Sequence, residues 1–211
     1  MQYTAFLPEV ILRAPTVPQN VAIGAIRNAC IHFCRETGWL INEPATVPLV
    51  VGQSAYTIPA PAGTTIAQVS EVYVNGQRIS PVAEEVLAGA QHTDWRTDSG
   101  QPRQYTMFGY DKIILHPTPD ANSTGPISCI TWLQPSRTST SVDDSVYEWW
   151  LEAIAFGALK LIYETPGQPY SNPQQAMTSA AQFNMFIDKA RARRNTGLTR
   201  GPASVQMPQL I

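Results

Sequence analysis

The chain has 211 residues, with 14 Lys and Arg against 16 Asp and Glu and a formal net charge of −2. That length suits one domain, or a domain with a small partner, and the charge balance excludes whole-chain electrostatic binding to nucleic acid or an anionic membrane. Apolar content of 44% with only 14% charged residues supports a real core and excludes wholesale disorder.

No stretch approaches the roughly 18 apolar residues of a membrane span. The opening Met1 to Glu9 has neither a basic region nor a long apolar run, so no secretory leader is expected. Three cysteines are too few for a disulfide framework. The 18 prolines predict many stops and extended segments. Of the 14 cations only Lys112, Lys160 and Lys189 are lysines. Interfaces favour Arg, Trp and Tyr over Lys, so this usage leans toward a surface taken up by partners; base-composition bias would produce the same arginine excess.

The first helix is expected over about residues 17–36. Thr16-Val17-Pro18-Gln19 has the form of a capping box with proline in the first turn. Val21, Ala22, Ala25, Ile26, Ala29, Cys30 and Phe33 follow at helical spacing, and Gly38 stops the run. From Ala45 to about Gln134 the period becomes two. Val47, Leu49 and Val51, a Gly52-Gln53-Ser54 turn, and Ala55 to Ile58 read as a hairpin. Val69 to Val74, the Asn75-Gly76 turn, and Arg78-Ile79 read as a second. Glu84 to Leu87 suits one helical turn, and Gln91 to Arg103 is polar and irregular. Tyr105 to Phe108 and Lys112 to Leu115 flank Gly109-Tyr110-Asp111 as a third hairpin. Ile127 to Leu133 is a last strand.

Helix then returns. Ser141 to Asp144 offers N-caps and first-turn acids, and Tyr147, Trp150, Leu151, Ile154, Ala158, Leu161 and Ile162 form a stripe ended by Pro166-Gly167. Asn172 caps a third helix with Pro173 at its first position; Ala176, Ala180, Phe183, Ile187 and Ala190 make its apolar face. The expected fold is therefore α+β. A three-helix bundle is formed by both chain ends, residues 1–40 and 141–195. An antiparallel β sandwich or barrel-like module is inserted at 45–135, and an extended C-terminal arm covers 196–211.

Few residues are placed to carry chemistry. Cys30 and Cys34 lie one turn apart with His32 pointing elsewhere, and no further ligands converge as a metal site needs; buried small hydrophobes are the better reading. His92 and His116 stand alone, and there is no nucleophile elbow or phosphate loop. Asp144, Glu148 and Glu152 share one helical face, which suits a solvated, dipole-complementing surface or a channel-facing acidic wall that keeps DNA from sticking. Lys189, Arg191, Arg193, Arg194 and Arg200 crowd the C-terminal region. Beyond them Leu198, Val205, Met207, Leu210 and Ile211 suit a tail that docks in extended form. No enzyme activity and no cofactor are expected.

The combined pattern resembles a known family. It consists of Phe6-Leu7-Pro8-Glu9-Val10, the helix end Ala29 to Trp39, Tyr73-Val74-Asn75-Gly76, Gly100-Gln101-Pro102, Trp149-Trp150 with Gly157-Ala158-Leu159, and Pro169 to Ala176. These residues are similar to the head-to-tail adaptors of tailed bacteriophages, the group of tail tubular protein A. The resemblance implies a virion protein of the neck, made in the host bacterial cytoplasm. It implies a homo-oligomeric ring, commonly a dodecamer, beneath the portal protein, extending the DNA channel and docking a tail or nozzle protein. DNA would pass without sequence-specific binding, and no membrane is involved. Mapped onto this chain, the portal-facing candidates are Arg191, Arg193, Arg194, Arg200, Met207, Leu210 and Ile211. The subunit or tail candidates are Asn75, Gly76, Trp95, Arg96, Arg103 and Tyr110. The alternatives are a tail-completion or tail-tip protein whose β module binds or degrades cell wall, and a carbohydrate- or peptide-binding module in which Tyr56, Tyr73, Trp95, Tyr105 and Tyr110 would line one groove.

Overall fold

A computed structural model describes residues 1–89 and 97–197. Its fold is α+β, with five α-helices and a curled mixed sheet. The chain opens with a 3-10 turn, Tyr3–Phe6, that runs into α1 (Leu7–Ile11). No element is expected here from the sequence reading above. The signal was present, because Tyr3, Phe6, Leu7 and Val10 stand at helical spacing and all four are buried.

Helix α2 (Gln19–Thr37) starts later than expected. The predicted capping box does not form: Pro18 is the N-cap residue, extended at ψ 138°, and no side chain caps the helix. Thr16 is thereby placed outside the turn whose N–H groups it would have to reach. The far end is as expected. Gly38 adopts the left-handed conformation at φ 59°, and its N–H donates to the Cys34 carbonyl at 2.9 Å.

The strands are β1 (Leu40–Pro48), β2 (Ala55–Thr57), β3 (Thr64–Val74), β4 (Gln77–Pro81), β5 (Ser99–Gly100), β6 (Gln104–Phe108), β7 (Lys112–His116), β8 (Thr118–Pro119) and β9 (Pro126–Pro135), with α3 (Glu84–Gly89) following β4. Seven of them form one sheet in the order β1-β9-β3-β4-β6-β7-β2, and β5 pairs with β8 separately. The second and third predicted hairpins are present as β3–β4 and β6–β7. Asn75 at φ 50° and Gly76 at φ 75° are both left-handed, as a two-residue turn that matches strand twist requires.

Two expectations are corrected. The first predicted hairpin does not exist: β1 pairs with β9 and β2 with β7. The Tyr56 hydroxyl instead gathers the 50–53 backbone, accepting from Val50 N at 3.1 Å and donating to the Gln53 carbonyl at 2.8 Å. Nor is the module purely antiparallel, because β4–β6 and β5–β8 are parallel pairs. A parallel pair needs a long crossover, and the stretch from β4 to β6, which includes α3, supplies it.

The link between β1 and β2 explains the curl. A flat sheet would hold these two edge strands about 29 Å apart at the usual strand spacing. The chain from Pro48 to Ala55 reaches at most about 25 Å when fully extended, so the edges must bend toward each other. The inside of the curl is one apolar core that includes Tyr56, Ile66, Val72, Tyr105, Ile113, Leu115, Ile127 and Cys129.

After the sheet come α4 (Asp144–Tyr163) and α5 (Pro173–Thr196). The Asp143 carboxylate accepts from Ser145 N at 2.9 Å and the Asn172 side chain from Gln175 N at 3.1 Å, as their sequences predict. A second core draws on the opening turn, α1, α2, α4 and α5, with Phe6, Ile26, Phe33, Ile154, Leu159, Phe183 and Ile187 among its members. Leu40, where α2 gives way to β1, packs against both cores. Among the described residues no helix is long and apolar enough to cross a membrane.

Candidate interaction surfaces

The last turns of α5 carry three of the predicted portal-facing arginines, and all three engage the chain itself. Arg191 Nε donates to the Glu36 carbonyl at 2.8 Å and Nη2 to the Glu36 carboxylate at 2.9 Å. Arg194 Nη1 donates to the Thr37 carbonyl at 2.7 Å, and its guanidinium lies 4.3 Å from the centroid of Trp132 in β9. Arg193 lies 3.9 Å from the centroid of Trp149 in α4. Glu36 and Thr37 belong to the last turn of α2, whose carbonyls have no helical partner and carry the negative end of the dipole. The arginines of α5 therefore cap α2 and join it to the sheet. Arg200, Met207, Leu210 and Ile211 lie outside the described residues.

The two hairpin turns named as candidates for subunit or tail contact are separated by the topology. The Asn75-Gly76 turn precedes β4, while the Gly109-Tyr110-Asp111 turn follows β6. Because β4 and β6 run parallel, these turns sit at opposite ends of the sheet. Asn75 N donates to the Pro126 carbonyl at 3.1 Å, and its side chain covers Gly125, where a Cβ would meet it at 2.6 Å. Arg103 joins β4 and β7 through its backbone. At the other end Tyr110 is 68% exposed and Phe108 61% exposed, an apolar tip of which sequence reading named only Tyr110. Trp95 and Arg96 lie outside the described residues. Tyr56 and Tyr105 are buried in the sheet core, and the Tyr73 hydroxyl donates to the Glu71 carboxylate. The aromatics that a binding-module reading needs in one groove are thus dispersed.

The predicted acidic face is interrupted. Residue Trp150 of α4 departs from helical geometry at φ −134°, ψ 22°, between Glu148 and Glu152. Its ring lies between Phe33 and Trp39, at centroid distances of 5.5 and 5.1 Å. Asp144 pairs with the Met1 amino group. Glu148, Trp149 and Glu152 are exposed.

Cys30, Cys34 and Cys129 are buried free thiols. Burial pushes Cys129 up to about 11 and holds Cys30 and Cys34 further above the usual thiol range. Among the described residues no group of histidine, cysteine and carboxylate side chains could hold a metal ion. His32 packs beside the Phe183 ring at 5.6 Å. Burial lowers its pKa; Glu36 opposes this, while Arg35, Lys160 and Arg191 add to the lowering.

His32 opens onto a groove of about 250 Å³ between α2, α4 and α5. Ala29, Gly157 and Phe183 form its apolar lining, and His32, Arg35, Arg137 and Lys160 bring basic groups to it. Sequence reading missed this cluster because its members come from four separate segments. Gly157 is what allows the helices so close there: a Cβ would stand 2.9 Å from the Phe183 ring and 3.0 Å from Ala29.

No curated protein matches the chain. A family model, that of the SU10 adaptor protein, matches residues 1–206, which takes in every helix and strand described above. By that match, and in accord with the resemblance its residues carry, the chain belongs to the SU10 adaptor protein family of phage head-to-tail adaptors.

Proposed function

We propose that this chain is a structural ring subunit of the virion neck, seated beneath the portal, lining an extension of the DNA channel and offering a docking surface to the tail or nozzle. The observation that carries the reading is the family match over residues 1–206. Twelve copies is the stoichiometry the resemblance implies. In this reading residues 1–40 and 141–195 act as the helical body, in which α1 joins the three helices expected from the sequence, with 45–135 as the inserted β module and 196–211 as the arm that meets the portal. Because Arg191, Arg193 and Arg194 already bind α2, Trp149 and Trp132, portal contact falls to the segment beyond Gly197 rather than to these arginines. The Asn75-Gly76 end of the sheet and the exposed Phe108–Tyr110 tip, at opposite ends, serve different neighbours. The role is non-enzymatic.

Light scattering of the purified chain, alone and mixed with its cognate portal protein, tests this. The expected result is a complex holding the chain in a fixed multiple. A chain that leaves the portal mass unchanged would overturn the reading.

A further inference from the structure

We propose that neighbouring copies meet through charge: the basic groove between α2, α4 and α5 of one copy receives the acidic first half of α4 of the next. The inference rests on the ring reading above and names the two faces that would build the ring.

The groove is a surface of one sign. Among the described residues no carboxylate lines it. Among the described residues Arg137 and Lys160 form no ion pair, and Arg35 has only Glu36, at 3.7 Å. The first half of α4 is the opposite. Glu148 and Glu152 are exposed and form no ion pair among the described residues, and between them Trp149 is 50% exposed, with the Arg193 guanidinium over its ring. At the groove rim Leu161 is 36% exposed. Each face therefore pairs unmatched charge with an apolar anchor, the composition of a wet but specific interface.

The two faces cannot satisfy each other within one copy. Lys160 of the groove shares α4 with the acidic face, and even Glu152 stands about 12 Å from it along the helix, with no ion pair formed between them. A second copy is required, and because the faces differ, each copy offers one and accepts the other. Such a head-to-tail contact closes into a ring when its rotation permits.

Charge reversal tests the pairing. Arg137→Glu with Lys160→Glu, and separately Glu148→Lys with Glu152→Lys, are each expected to lower assembly on the portal by about tenfold or more, since like charges then face each other. All four substitutions in one chain restore complementarity and assembly. Assembly of either reversed pair at wild-type concentrations overturns the inference and leaves the adaptor reading standing; so does a fourfold variant that stays unassembled while folded by circular dichroism. A wild-type chain that never joins the portal overturns both. As a second readout, Glu152→Cys with Lys160→Cys should give a ladder of cross-linked chains when assembled rings are oxidised. Monomer alone on the gel overturns the contact.

Discussion

The Arg194 guanidinium stacks on Trp132 at 4.3 Å while donating to the Thr37 carbonyl at 2.7 Å. One side chain thus ties the end of α5 to the end of α2 and to β9. Replacing it with alanine removes a cation–π contact and a charge-assisted hydrogen bond, and is expected to cost about 1–3 kcal/mol in urea unfolding. Arg194→Lys keeps the charge but not the flat guanidinium, so it should recover only part of the loss. An unchanged midpoint for Arg194→Ala would show that the contact contributes nothing.

Gly38 lies beneath that contact. A Cβ there would stand 2.5 Å from the Trp132 ring and would also meet Arg194, on a residue whose φ is already 59°. Gly38→Ala should cost more than about 1 kcal/mol. Gly24, inside α2, has open space around its Cβ position, so Gly24→Ala should stabilise the chain by about 0.5–1 kcal/mol. In a Trp132→Ala background the Gly38 penalty should shrink, which a double-mutant cycle reads directly.

Gly157→Ala pushes a methyl group against Phe183 and Ala29 and should destabilise by about 1–3 kcal/mol through overpacking. Phe183→Leu in the same chain should relieve part of that. Equal midpoints for Gly157→Ala and wild type would mean that α4 and α5 separate freely.

The helix caps give a matched pair. Asn172→Ala removes the bond to Gln175 N and should cost about 1 kcal/mol. Thr16→Ala removes no cap, because α2 begins at Gln19 with Pro18 before it, and should stay within about 0.5 kcal/mol of wild type. Thermal melts of both variants decide it.

Alkali should unfold the protein through groups held neutral by burial. Cys129 is raised from 9.0 to about 11 and Tyr3 from 10.0 to about 12. Between each pair of values the unfolded chain has lost the proton and the folded chain has kept it. Stability from these groups is therefore full below about pH 9 and falls as pH rises toward 12. Urea midpoints across pH 8 to 12 should decline, and Cys129→Ala should make the lower part shallower without abolishing it, because buried Cys30 and Cys34 lose stability over the same range.

Much of this architecture was readable from local signals. Asn75-Gly76, Asn172-Pro173 and Gly38 each specify their own backbone, and the structure holds all three as turn, cap and stop. Pairings set by distant residues were not readable. Nothing between Val47 and Ile58 says that β1 will join β9 while β2 joins β7, because strand partners are chosen by tertiary packing. The segment Tyr3 to Val10 was overlooked although its apolar spacing is helical and Pro8 suits the first turn of α1, where the structure holds it. The interaction surfaces divide in the same way. The arginine cluster of α5 is visible as composition, but its engagement with Glu36, Thr37, Trp132 and Trp149 depends on which helices meet. The groove at His32 and Lys160 exists only once three helices have come together.

The shared core of α2 and α5 also sets a schedule. The apolar face of α2 emerges from the ribosome early, yet Ile154, Leu159, Phe183 and Ile187, which bury it, are synthesised only after the whole sheet. During translation at roughly 5–20 residues per second that face stays uncovered for seconds. A nascent chain lacking α5 is thus the species most open to chaperone capture or aggregation, and truncation before Pro173 should send the product to inclusion bodies.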